Sequence, residues 1–262
     1  MQITGFILGI LIGVSLGLIG SGGSILTIPI LVYVMYISPS IATTYSLFIV
    51  GVSALAGSLK GIKDKLLDFK TAIYFGLPSI ISIFIMRKYL VPLLPNILFK
   101  IGGFSVSKDF FIMFVFAVLM ILASFAMIKK TTFIENDNFE IDFKTIIFKG
   151  ILVGILTGFL GVGGGFLIIP TLLFSARLPM KKAVATSLII ISLNSLIGFA
   201  SSVNNTQIEW RFLVEFTAFS IVGIFVGMLI STKISNEKLK PVFGWFVLIT
   251  GIYILTKEIF FK

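Results

Sequence analysis

The chain has 262 residues, 57% of them hydrophobic and only 12% charged, with a mean hydropathy of +1.13. Ordinary soluble domains carry about 25% charged residues, so this composition belongs to an integral membrane protein. His and Cys are absent, which excludes disulfides, Cys/His metal sites and any Cys-His or Ser-His nucleophile pair. The formal charge of +10 comes from 21 Lys and Arg in short clusters between apolar spans. With no long basic tract and no interleaved aromatic platform, it reads as orienting loop charge and not as a nucleic-acid surface.

The first charged side chain is Lys60, so the first 59 residues hold several bilayer-compatible segments. A cleavable leader would instead need a basic start and a single short apolar core. Runs free of charge outline the spans: 3–19, 22–36, 41–59, 71–86, 110–128, 150–161, 163–176, 183–208, 212–232 with Glu215 inside it, and 241–256. The Pro-rich stretch "VPLLPNILFK" at 91–100 reads as a loop or short interfacial turn. The one sizeable hydrophilic linker, 129–149, divides the chain into halves, 1–128 and 150–262.

Those halves repeat. Sliding the sequence by 141 positions places Gly9, Gly13, Gly17, Gly20, Gly22, Gly23 and Pro29 on Gly150, Gly154, Gly158, Gly161, Gly163, Gly164 and Pro170. The register continues through Ala42, Ser46, Leu47 and Gly57 onto Ala183, Ser187, Leu188 and Gly198, and sets "DFK" at 68–70 on "EWR" at 209–211. The chain is therefore two copies of one unit. The last helix of each copy aligns only after a shift of about ten residues, which makes 91–100 an insertion in the first.

Loop charge indicates how the copies are oriented. An unbroken helix over 3–36 would be about 50 Å long against a hydrocarbon core of ~30 Å, so the glycine cluster marks a break. If the chain simply passes through at the glycines, Lys and Arg divide 11 against 10 across the membrane; if it reverses there, they divide 14 against 7. The positive-inside rule prefers the reversal, with 60–70, 129–149, 177–182 and 233–240 cytoplasmic and both termini outside. Each half then has an odd number of crossings, or three plus a re-entrant hairpin, and the halves are inverted. The expected fold is all-α: two inverted-topology repeats, each with a Gly-rich broken or re-entrant hairpin and three further transmembrane helices, an arrangement typical of transporters.

Non-helical backbone inside a bilayer is tolerated only where protein or a polar cavity satisfies it. Gly22, Gly23 and Ser24, with their counterparts Gly163, Gly164 and Gly165, would open the second arm of each hairpin, and two such helix starts facing each other would attract an anion. The other reading is close packing, which suits the four-residue spacing of Gly9, Gly13 and Gly17. Nucleotide motifs do not fit, because neither stretch has the Lys of a phosphate-binding loop and neither follows a strand. Thr44, Ser46, Thr186 and Ser187 follow the hairpins, with Ser53 and Asn194 two turns on. They are candidate donors to an oxyanion, or hydroxyls bonded back to a carbonyl one turn earlier. Glu215 is a candidate coupling group, or the partner of the interfacial Arg211 in a snorkelled ion pair. No Lys or Arg is expected in the membrane-embedded part, so the substrate would be a small, compact anion.

The stretches "GLIGSGGSILTIPIL" at 17–31 and "GFLGVGGGFLIIPTLL" at 158–173, each followed by an A-x-x-x-S-L helix and an acidic-aromatic-basic triplet, resemble the sulfite exporter TauE/SafE family, also called the toluene sulfonate uptake permease group. The resemblance covers nearly the whole chain. The first copy departs from the pattern at Ser24, where the third glycine would stand, and at Tyr45, where the second copy has Thr186. What the resemblance implies is a multi-pass permease of the bacterial inner membrane for small, often sulfur-containing, anions such as sulfite or organosulfonates. No cofactor is expected. The implied partners are the lipid bilayer, the anionic substrate and a coupling ion, proton or sodium. A passive anion channel is the alternative, and an intramembrane enzyme is disfavoured because no catalytic or metal-ligand cluster is present.

Overall fold

The computed structural model describes residues 2–20, 23–101, 104–128, 142–231 and 236–260. The first half runs α1 (Gln2–Ile19), α2 (Gly23–Pro29) continued by a π-helical turn (Ile30–Val34), α3 (Pro39–Lys63), α4 (Phe69–Ile85) continued by a second π turn (Met86–Leu90), α5 (Val91–Leu93) and α6 (Lys108–Ile128). The second half runs α7 (Phe143–Leu160), α8 (Gly165–Ser175), α9 (Met180–Ser202), α10 (Trp210–Ser231) and α11 (Asn236–Phe260). Among the described residues, six helices are long and apolar enough to cross a membrane: α3, α4 with α5, α6, α7, α9 and α10.

The fold is mostly helical and not strictly all-α. At the end of the inserted region and just beyond it, β1 (Ile97–Ile101) pairs antiparallel with β2 (Phe104–Ser107). The expected loop at 91–100 is thus the short α5 followed by one strand of a hairpin. Ile97, Phe99 and Val106 supply the β-favouring residues, and cross-strand pairing satisfies backbone that an interfacial coil would leave to water.

The glycine rows set the helix pairing. A Cβ on Gly13 would fall 2.0 Å from the Ser220 carbonyl oxygen and one on Gly17 2.2 Å from that of Ile224, so α1 lies backbone to backbone on α10. The second copy repeats this. Gly150, Gly154 and Gly158 meet Phe75, Ser79 and Ile83 of α4. In both pairs the contacts advance together along the two chains, and the helices are parallel. The equivalent helices α3 and α9 instead run antiparallel, with Gly51 against Ser195, Gly57 against Leu188 and Gly61 against Ala185. So do α6 and α11, where Gly244 meets Met127 and Gly251 meets Met120.

Backbone details repeat at the same 141-residue interval. Tyr36 and Arg177 both adopt positive φ, at 57° and 47°. Ile37 N–H donates to the Leu31 carbonyl as Leu178 N–H does to that of Leu172, closing each second arm in the same way. Proline does not end either arm. Pro29 stands where α2 passes into its π turn, and Pro170 is carried inside α8.

Candidate functional site

Both breaks begin with the same backbone step. Gly20 N–H donates to the Leu16 carbonyl at 2.7 Å, and Gly161 N–H to that of Thr157 at 2.8 Å, with φ of +77° and +71°. In the second copy Gly163 and Gly164 remain left-handed at +69° and +83° before α8 starts at Gly165. A β-branched residue would be strained at either. In the first copy α2 starts at Gly23, where a Cβ would fall 2.4 Å from the Ile12 carbonyl oxygen, so the second arm begins folded back along α1. Ser24 is fully buried in its first turn. Gly22 lies outside the described residues. Gly20 stands against Val184 near the start of α9, and Gly161 against Thr43 near the start of α3. Because α3 and α9 are antiparallel, these parts of the two breaks lie toward opposite ends of the bundle.

Between them α3 and α9 carry a polar layer. Asn194 Nδ2 donates to Ser79 Oγ at 2.8 Å, and Ser53 Oγ donates to Ser220 Oγ at 2.9 Å. These two bonds are equivalents: the repeat maps Ser53 on Asn194 and Ser79 on Ser220. The layer is not saturated. Asn194 Oδ1, Ser192 Oγ, Ser195 Oγ and Ser46 Oγ are buried with no hydrogen-bond partner among the described residues. A Cβ on Gly163 would fall 2.3 Å from Ser195 Oγ, so the second break meets the layer directly. Most buried polar atoms in folded proteins are paired, and each that is not marks a place where a ligand or water can take the bond.

The remaining hydroxyls divide by role. Thr186 Oγ1 accepts from Asp68 N–H at 3.0 Å, and Tyr45 OH accepts from Glu209 N–H at 2.7 Å. Asp68 and Glu209 are equivalents, so the two dissimilar residues perform one task, tying the preceding loop to a helix start. Ser187 Oγ donates to the Val184 carbonyl at 2.8 Å, the back-bonded arrangement. Thr44, 2% exposed, borders a cavity of about 390 Å³ among α3, α4 and α6. Glu215 pairs with Arg211 at 3.0 Å, and both line a larger cavity of about 1040 Å³ at the α9–α10 loop.

Sequence reading missed Ser192, Ser195 and Arg87. The expectation of an embedded part without Lys or Arg is corrected by Arg87, which is 3% exposed within the span Phe69–Leu93. Its Nη1 donates to Thr43 Oγ1 at 3.2 Å, and its Nη2 stands where a Cβ on Gly161 would approach to 2.0 Å. Arg87 looked like a flanking charge because it ends an uncharged run. The signal that could have found it is its repeat equivalent, Met228, which lies inside the apolar α10.

A bundle of membrane-length helices, two glycine breaks and a partly unsatisfied polar layer sealed inside it define a multi-pass membrane transporter. Residues 5–254 match the family described as Sulfite exporter TauE/SafE, and the chain belongs to that family. A probable membrane transporter protein of Xylella fastidiosa is 30% identical over 255 residues, covering 95% of this chain and 92% of its own. A probable membrane transporter protein of Bacillus subtilis is 26% identical over 275 residues, covering 97% of each, and one of Methanocaldococcus jannaschii is 26% identical over 263 residues, covering 95% of this chain and 93% of its own. No solved structure matches the chain.

Proposed function

We propose that the protein is a secondary permease that moves a small oxyanion of sulfite or organosulfonate size across the bacterial inner membrane by alternating access. The observation that carries this reading is the buried Ser195 hydroxyl, set against Gly163 and uncommitted among the described residues, with the Ser46 and Ser192 hydroxyls of α3 and α9 also buried and uncommitted. A compact anion can take donors from Ser195 and Ser46, from break amides at Gly22, Gly23, Ser24, Gly163, Gly164 and Gly165, and from Thr44. Thr186 accepts at Oγ1 and keeps its own proton to donate. Hydroxyl and amide donors suit an anion and repel a cation at the start of α8.

Inverted repeats fit this mechanism. The antiparallel courses of α3 against α9 and α6 against α11 support the inversion. At 11 residues α8 extends about 16 Å, roughly half of the hydrocarbon core, which supports a re-entrant hairpin. In this scheme both termini lie outside, and alternating access exchanges the roles of the two hairpins. Glu215, at the rim beside Arg211, is the candidate coupling group for a proton or sodium.

Two measurements test the reading. A panel of oxyanions should raise the melting temperature of the purified protein by mass action and exchange across proteoliposomes with saturable kinetics. Transport of metal cations or neutral sugars without anion competition overturns it, and conductance linear in concentration would make the protein a channel. A C-terminal phosphatase fusion should be active in the periplasm, and the opposite result overturns the orientation.

A further inference from the structure

The Arg87 cavity has a chemistry that the central layer lacks. It holds about 390 Å³ and is lined by Ser40, Thr43, Thr44, Arg87, Lys108 and Thr206, among others. Only one of the three guanidinium nitrogens is bonded, Nη1 to Thr43. Nε and Nη2 are buried without a partner among the described residues. Among the described residues Lys108 Nζ makes one hydrogen bond, to the Val91 carbonyl at 2.6 Å, and has two further ammonium protons to donate. The neighbouring acid, Asp109, accepts at Oδ1 from the backbone N–H and the hydroxyl of Ser40. A buried guanidinium with idle donors is strongly unfavourable unless an anion completes it.

We propose that this cavity is a one-sided binding site for a compact oxyanion that presents two coplanar oxygens to the Arg87 fork, with Lys108 completing the contacts. The planar guanidinium matches such a pair of oxygens, as a point charge does not. Nη2 is sealed against Gly161, so the anion gains its full set of contacts only as the second break gives way, which links occupancy to movement of that hairpin. The other break has no counterpart, because Val184 and Met228 occupy the equivalents of Thr43 and Arg87. The site therefore serves one membrane face, the face of the 35–38 and 203–209 loops. It rests on the permease reading only for its role in transport and stands without it as a binding site.

The test titrates sodium methanesulfonate into the full-length detergent-solubilised protein, with sodium chloride as the salt control, following thermal stabilisation, alongside flux in proteoliposomes. Arg87→Met places in the first copy the residue that the second carries at Met228. It should weaken methanesulfonate binding by about tenfold or more. Lys108→Gln, at a partly exposed position, should weaken binding severalfold even if Arg87→Met accumulates poorly. Wild-type Kd in folded Arg87→Met, or in Lys108→Gln where Arg87→Met does not fold, overturns the site and leaves the permease reading intact. Methanesulfonate binding lost with Arg87→Met in a protein that moves no anion keeps the site and overturns the permease.

Discussion

The first and second glycine breaks share one backbone and differ in what stands against it. Gly20 and Gly161 each receive the last turn of a long helix and adopt the same left-handed conformation, and each touches the residue four positions into the following repeat helix of the opposite half. At Gly20 that residue is Val184, and the break is closed by aliphatic packing. At Gly161 it is Thr43, with the Arg87 guanidinium beside it. The close contacts of α1 on α10 and of α7 on α4 leave no room for a side chain at Gly13 or Gly154. The side chains that line the breaks differ, and they give the two ends of the bundle different chemistry.

The packing contacts should break first and equally in both copies. Gly13→Leu and Gly154→Leu would place Cβ atoms 2.0 Å and 2.5 Å from the carbonyl oxygens of Ser220 and Ser79. Both should exceed the ~1–3 kcal/mol of ordinary overpacking and abolish accumulation of monodisperse protein in size-exclusion chromatography. A loss confined to one copy would contradict their equivalence.

At the breaks the copies should separate. Gly163→Val meets a hydroxyl, Ser195 Oγ, whereas Gly23→Val meets the Ile12 carbonyl. The former is expected to insert and fold but to show no substrate flux, and the latter to lose folded protein as well. Equal yields and equal flux in the two variants would remove the distinction between a lined and a packed break.

In the polar layer, Asn194→Ala and Ser53→Ala each delete one of two equivalent hydrogen bonds, at about 1 kcal/mol of stability. Melting temperatures should fall in both, and to a similar extent, because the two bonds are equivalent. Tyr45→Phe and Thr186→Val should likewise match, because each removes the acceptor for one loop N–H, again about 1 kcal/mol. The smallest effect is expected at the rim. Arg211 and Glu215 are 88% and 41% exposed, so Arg211→Ala should change stability by no more than ~0.5 kcal/mol in a thermal melt.

The repeat, the helix spans and the breaks were legible in the sequence because each has a strong local cause. Runs without charge must span or be buried, and adjacent glycines end helices wherever they fall. The pairing of Ile97–Ile101 with Phe104–Ser107 was not legible, since a short apolar stretch looks alike as coil or strand until a partner strand is fixed.

The site divides in the same way. Gly163, Asn194 and Ser46 could be named from position in the repeat, because breaks and polar residues in apolar helices draw attention wherever they occur. Their partners could not. That Thr186 is committed to Asp68, that Ser195 faces Gly163, and that Ser187 bonds its own helix depend on which faces of α3, α4 and α9 meet. Arg87 shows the limit most plainly. In the sequence it ends an apolar run and reads as a charge reaching for water. Only the packing of α7 against α4, which brings Gly161 onto that turn, turns it inward as a buried cation with donors to spare. Composition and periodicity determined that this chain lies in a membrane as two broken copies of one unit. The tertiary structure decided which copy carries the charge at its break, because burial is a property of neighbours and not of the residue.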